Sequence, residues 1–306
     1  MLSEAPFEVP AYLMEKAGAL DRVRMAVAGA DNAVALESAR QAAEAGLIDP
    51  VLVGDAELIR AIARETGWDL SGIEIVDAAG EDKAPAAAVA LAKANEVAAL
   101  MKGHVHTDSL MKAVVNRELG LRTGRRLSHV FHMTVPGSER VLLITDGAVN
   151  VTPDVGTKLD IVNNAVSLAH ALGNAHPHVA MLSGTESVLH AMPSSVEAAE
   201  VVKRANNGEV TGAHVDGPFA FDNAISPAAA KLKGIDSPVA GNADILVVPN
   251  IEMGNGLFKM MVYFMSGVAA GVVLGARAPI VLTSRADPPE ARLAAAAIAT
   301  IAASNK

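Results

Sequence analysis

Cysteine is missing altogether from the 306 residues. That removes a disulfide framework, a thiolate metal site and a cysteine nucleophile together. Aromatic residues are scarce at 3%, so any core must close with small aliphatic side chains. A basic surplus is also lacking. The formal net charge is −9, which argues against nucleic-acid binding, because neutralising a phosphate backbone needs a cationic surface. An anionic small ligand would have to rely on a local basic patch. No run is long enough to span a bilayer: the longest apolar stretch, residues 293–303, is interrupted by Thr300. It reads as a buried C-terminal helix. Residues 1–10 (MLSEAPFEVP) are acidic and broken by prolines, unlike a secretory leader. A cytoplasmic, membrane-free protein is expected.

Several signature motifs are absent as well. There is no G-x-x-x-x-G-K-[ST] loop, no G-x-G-x-x-G opening a helix and no G-x-S-x-G elbow, which removes the main support for P-loop, dinucleotide-binding and α/β-hydrolase readings. Gly254 and Gly256 form a GNG lacking the third glycine of a dinucleotide fingerprint. His104 and His106, and His129 and His132, stand close in sequence. No carboxylate joins them at H-E-x-x-H spacing, so no metal site is expected.

What is present is a composition of 51% hydrophobic and 19% charged residues, enough apolar material for one large or two medium cores. Short β-branched runs alternate with helical patterns, the sequence form of an α/β protein with a parallel sheet. Strands are expected at 24–28, 50–54 and 72–77, with Asp31 and Asp55 capping the helices between them and Gly46 and Gly67 closing them. A third helix is read over about 85–101. Residues 127–135 and 141–145 suggest an antiparallel excursion around a Pro-Gly turn. Thr157 with Asp160, and Ser194 with Glu197, have capping-box spacing. Further strands are expected at 178–182, around 210–215, at 244–249 and at 279–283, before a last helix over about 288–303.

Three segments place polar and charged residues at expected strand ends, where open α/β sheets bind ligands. The first is 102–107 (KGHVHT), in which Lys102 and Gly103 precede a helix capped by Thr107 or Asp108 and carrying Lys112 and Arg117. Free N–H groups there suit an anion; a capped helix with solvated lysines is the plainer alternative. The second holds Arg117, Arg122, Arg125 and Arg126, either a polyphosphate-binding cluster or a solvated loop. The third is 281–290 (VLTSRADPPE), where Ser284 and Arg285 end a strand and could stabilise developing negative charge. Asp287 and Glu290 are the candidate general bases, although Asp287 before Pro288 would also serve as a helix N-cap.

Together with 215–218 (VDGP), 237–241 (SPVAG), 244–259 (DILVVPNIEMGNGLFK) and 282–285 (LTSR), these segments resemble the phosphate acetyltransferase and phosphate butyryltransferase family along most of the chain. MKGHVHTDSLM, RTGRRLSHVF and TSRAD look closer to the butyryltransferase branch. The resemblance implies a two-domain, three-layer α/β/α enzyme of the isocitrate and isopropylmalate dehydrogenase-like architecture, a homodimer with its site in a cleft between domains. The expected division is a discontinuous domain of 1–127 plus 283–306 with 128–282 inserted. It further implies direct attack of the coenzyme A thiol on an acyl phosphate, or of phosphate on the thioester, with coenzyme A as substrate and no tightly bound cofactor. Ser284 would hydrogen-bond the reacting centre and Arg285 would hold phosphate. Asp216 and Asn255 would line the cleft, and Lys102, His106, Thr107, Lys112 and Arg125 would bind substrate.

Two positions depart from the family pattern. Ala291 stands where acetyltransferases have a catalytic aspartate, and an arginine of the acetyltransferase anion site aligns near Met111, where only Lys112 supplies charge. Two other readings therefore remain: an acyl-coenzyme A-binding or sensing domain with weak turnover, and a metal- and nicotinamide-dependent decarboxylating dehydrogenase of the same architecture.

Overall fold

The structure is a computed structural model that describes residues 2–283 and 287–305. In chain order it begins with α1 (Ala11–Gly18), β1 (Val23–Ala28), α2 (Ala33–Glu44), β2 (Ile48–Gly54), α3 (Ala56–Thr66), β3 (Glu74–Asp77), α4 (Lys83–Lys93), β4 (Ala99–Lys102) and α5 (Thr107–Val114). It continues through β5 (Ser128–Thr134), β6 (Leu142–Thr145), α6 (Val155–Ala171), β7 (His178–Leu182), α7 (Pro193–Arg204), β8 (His214–Phe219), α8 (Phe221–Ile225), α9 (Pro227–Leu232), β9 (Ile245–Val247) and α10 (Ile251–Met265). β10 (Val268–Leu274), β11 (Ile280–Val281) and α11 (Pro289–Ser304) close it.

Two compact units result: Glu8–Arg125 with Ala270–Lys306, and Met1–Phe7 with Arg126–Ala269. The chain returns to the first of them at Ala270, earlier than residue 283. The reason is β10, which pairs antiparallel with β11 (Val272 opposite Val281), while β11 pairs with β4. The first residues go with the other unit because the Leu2 and Ser3 N–H groups donate to the Tyr263 carbonyl and the Ser266 hydroxyl donates to that of Ser3.

In the Glu8–Arg125/Ala270–Lys306 unit the strands run β3-β2-β1-β4-β11-β10, parallel except for the last pair. α1 and α2 each pack on α11, α4 packs on α5, and both groups contact the sheet, which gives three layers. α11 is the central helix. Its alanines from Ala291 to Ala302 are buried, because small side chains let a helix lie close on a sheet and hide it nearly all round. In the Arg126–Ala269 unit the order is β5-β6-β9-β7-β8, with only β5 and β6 antiparallel. There Phe131, Met133, Ile144, Leu182, Phe219 and Leu246 form a core against Phe258 and Met261 of α10.

Several local expectations need correction. The helix expected over 85–101 ends at Lys93, with Asn95 at φ 60 turning the chain, and 99–102 is a strand. Ala, Leu and Met favour helices, but burial within a parallel sheet overrides that preference. Asn32, not Asp31, caps α2, accepting from Val34 N at 3.0 Å, while Asp31 accepts from Asp55 N at 3.0 Å. Neither capping box forms. Asp154 caps α6 through Thr157 N at 2.7 Å, and Glu197 pairs with the buried Lys158. The strand expected around 210–215 begins only at His214. Among the described residues no helix is long and apolar enough to cross a membrane.

Candidate active site

Three parallel strands end together in the Glu8–Arg125/Ala270–Lys306 unit. Ala28 of β1 lies beside Lys102 of β4, and Met101 beside Val281 of β11. The ladder runs past the strand ends, since Gly103 N donates to Ala28 O and His104 N to Gly29 O, both at 2.8 Å. Only glycine fits at 103, because a Cβ there would lie 2.2 Å from Gly29 O. Gly29, at φ +78, is held in a conformation that favours glycine.

Beside this crossing point is a cavity of about 170 Å³ lined by Asn32, Ser38, Lys102, Gly103, Thr283 and Arg292, among others. Lys102 Nζ donates to the carbonyls of Gly103 at 3.3 Å and Val105 at 3.2 Å. Arg292 Nη1 donates to the Asp287 carbonyl. The nearby Glu37 carboxylate is held below its ordinary range, first by its hydrogen bonds to Arg40 and then by Gln41. Two cationic side chains thus border the cavity, and this adjacent carboxylate is engaged elsewhere.

The first chemical segment folds differently from expectation. His106 is the N-cap of α5, at φ −67 and ψ 145, and Thr107 is the first helical residue. The helix terminus is already occupied by the chain itself: Glu81 Oε1 accepts from His106 N at 2.6 Å and lies 3.1 Å from His106 Nδ1. The His106 N–H, followed by the Ser109 and His106 side chains, holds the Glu81 carboxyl below its usual range. Thr107 is half-buried, and Lys112 is exposed in the last turn. The arginines at 117, 122, 125 and 126 are all exposed. Arg125 N donates to Thr123 Oγ1 at 3.1 Å, and Arg126 N to Asp160 Oδ2 at 2.9 Å.

Ser284 and Arg285 lie outside the described residues, but their flanks are placed. Thr283 is buried at the cavity. Pro288 rather than Asp287 is the N-cap of α11, with no side-chain cap bond. The cause is the second proline, which disfavours helical backbone in the residue before it; Pro288 sits at ψ 156 and the helix starts one residue later. Asp287 and Glu290 are both half-buried. Ala291 is 1% exposed, so that position faces packed interior.

The other unit holds Asp216 and Asn255. Asp216 is half-buried on β8, its Oδ1 accepting from Gly217 N at 2.8 Å. Asn250 caps α10 through Met253 N at 3.0 Å. A Cβ at Gly254 would lie 2.8 Å from Gly147 Cα, so this glycine of GNG serves helix packing. Asn255 follows it, half-buried. Sequence reasoning missed Arg292, Asn32 and Ser38 as cavity residues. None stands in a motif, and only the crossing of β1, β4 and β11 with α2 and α11 collects them.

Comparison with known proteins places this arrangement. A family model described as phosphate acetyl/butaryl transferase matches residues 81–300. A Rhizobium meliloti protein named phosphate acetyltransferase is 51% identical over 271 residues, 89% of this chain and 86% of that protein. A Clostridium acetobutylicum protein named phosphate butyryltransferase is 41% identical over 283 residues, 92% of this chain and 94% of that one. The solved structure of a branched-chain phosphotransacylase from Enterococcus faecalis superimposes with a TM-score of 0.81 at 31% identity, covering 92% of this chain and 99% of that one. The leaning toward the butyryltransferase branch is thereby corrected: it rested on short segments, whereas identity along the chain is higher to the protein named an acetyltransferase. With the family model spanning most of the α/β fold and relatives matched nearly end to end, the chain belongs to the phosphate acetyltransferase and butyryltransferase family.

Proposed function

We propose that this enzyme is a phosphate acyltransferase that moves a short acyl group, acetyl or butyryl, reversibly between coenzyme A and inorganic phosphate. The observation that carries the reading beyond family membership is the cavity at the ends of β4 and β11, where Lys102 and Arg292 border the strand leading into Ser284-Arg285. The thiol sulfur attacks the acyl phosphate carbonyl carbon, and the thiol proton passes to a carboxylate, Glu290 or Asp287. The tetrahedral intermediate then collapses with cleavage of the C–O bond, and phosphate leaves. Ser284 donates to the oxyanion and Arg285 holds the phosphoryl oxygens, while Asp216 and Asn255 are assigned to substrate contact. His106, Thr107, Lys112 and Arg125 are assigned to outer contacts with coenzyme A, weaker than those in the cavity because Lys112 and Arg125 are exposed and Glu81 holds His106. Positioning two bound substrates and stabilising one oxyanion account for such a reaction without a covalent acyl-enzyme.

Coenzyme A acts here as substrate and not as a resident cofactor. We further assign the protein to the cytoplasm, and to a homodimer, the latter supported by the exposed apolar side chains Met260, Tyr263, Phe264 and Met265 at the end of α10. Size-exclusion chromatography with light scattering checks the dimer. For the activity, purified protein with acetyl- or butyryl-coenzyme A and phosphate should release thiol, with intersecting initial-rate patterns; parallel lines would point to an acyl-enzyme instead. Ser284→Ala should lower turnover by roughly a hundredfold or more, the usual effect of losing an oxyanion donor. A near-normal rate would remove Ser284 from the chemistry.

A further inference from the structure

We infer that Arg292 is a phosphate-binding residue which, together with Lys102, makes the cavity of the Glu8–Arg125/Ala270–Lys306 unit the seat of the substrate phosphoryl group; this rests on the acyltransferase reading above. Arg292 belongs to none of the segments that the sequence singles out. It lies near the start of α11, and its guanidinium has divided roles. Nη1 donates to the Asp287 carbonyl, which ties the helix to the segment following β11. Nε is buried and has no hydrogen-bond partner among the described residues. A buried cationic N–H without an acceptor is costly, so a donor set of this kind calls for an anion. Glu37, the carboxylate coupled to it electrostatically, does not fill that place. Arg40 Nε and a terminal Arg40 nitrogen each reach Glu37 at 2.8 Å, as does Gln41 Nε2.

The surroundings agree in charge and in size. Lys102 supplies a second cation, Thr283 a hydroxyl, and the first-turn residues Val34 and Ala35 bring the positive end of α2 to the same wall. The volume of about 170 Å³ is several times the roughly 30 Å³ share of one water. It is below the 300 Å³ or so at which pockets begin to hold drug-sized ligands. A phosphate-sized oxyanion with a few waters fits this volume. Arg offers a planar fork and Lys a mobile point charge, so Arg292 fixes the orientation of the phosphoryl group and Lys102 adds charge.

The test compares wild type, Arg292→Gln and Arg292→Lys by initial rates in the phosphate-plus-acetyl-coenzyme A direction and by calorimetric titration with inorganic phosphate. For Arg292→Gln the KM and Kd for phosphate should rise by roughly tenfold to a hundredfold, the scale of a lost hydrogen bond to a charged group. The KM for acetyl-coenzyme A should stay within about twofold, since uniform binding of only one substrate is removed. Arg292→Lys should fall between the two, and it decides the matter if the glutamine variant melts early. Unchanged phosphate constants in both variants would overturn the assignment. So would an equal rise in the acetyl-coenzyme A KM, which would give the cavity to a coenzyme A phosphate. If wild type releases no thiol from any short acyl thioester, the acyltransferase reading fails, and the phosphate titration still decides what Arg292 does.

Discussion

Replacing Gly103 by alanine probes the strand crossing that builds the cavity. The added Cβ would lie 2.2 Å from Gly29 O and 2.8 Å from Ala28 O, where ordinary contact begins at 3.4 Å. The obstructing atoms are backbone, so no rotamer change relieves the clash, and the ends of β1 and β4 must separate by about 1 Å. Overpacking of this kind costs about 1–3 kcal/mol, and the absence of any flexible neighbour puts this case at the upper end. At roughly 2–4 °C per kcal/mol for a unit of this size, the melting temperature should fall by about 5–10 °C. The displacement also moves Lys102, the preceding residue, and errors of about 1 Å in a site can reduce rates by about a hundredfold. Differential scanning calorimetry reads the first effect. Thiol release, measured well below the melting temperature so that the variant is folded, reads the second. Gly256→Ala is the control: nothing lies within 4 Å of its added Cβ, and in the interior of α10 it should stabilise by about 0.5–1 kcal/mol. A Gly103→Ala protein that melts and turns over like wild type would refute the strand-crossing argument.

Burial pushes His132 down to about 4. The unfolded chain binds that proton near the ordinary value of about 6.5, so stability is full above this pH and is lost as pH falls toward 4. The change is up to about 3 kcal/mol, and urea titrations at several pH values should lose this slope in His132→Leu. Glu290→Gln and Asp287→Asn identify the proton acceptor: the base should lose about a hundredfold or more in turnover while the other variant stays near wild type, and equal mild losses would exclude both. Lys158 is 2% exposed and its partner Glu197 is 36% exposed. Glu197→Gln, which strands a buried ammonium, should therefore cost about 3 kcal/mol or more, and Lys158→Met clearly less; equal losses in urea unfolding would contradict this asymmetry.

The α/β class was legible because both units repeat one local device. A polar cap opens a helix, a glycine closes it, and an apolar run follows, as in Asn32, Gly46 and β2. β4 and β10 were not legible. ALMK carries helix-favouring residues, and VAAGVVL is buried along its whole length; a strand covered on both faces has no alternation to read. The capping boxes failed for a related reason. Spacing cannot tell a residue that caps from one that bonds elsewhere, and Glu197 was drawn to Lys158 in the neighbouring helix.

The charged segments teach a sharper lesson about the site. Sequence density of arginine selected 117–126, yet those side chains are exposed, where a cation is already well solvated and gains little from an anion. The free helix terminus at 106–107 attracted notice for its N–H groups, yet Glu81 accepts from one of them. An anionic substrate reaching that terminus must displace a carboxylate of the same sign, which costs the protein the hydrogen bonds that hold Glu81 ionised. Among the described residues, the cavity beside Lys102 and Arg292 carries no such competitor in its lining, and Arg292 Nε is a buried donor without an acceptor. Affinity for phosphate should therefore concentrate where half-buried cations converge and one guanidinium N–H, Arg292 Nε, is buried without an acceptor among the described residues. That property comes from the crossing of three strand ends and two helices, and no single segment of the sequence contains it.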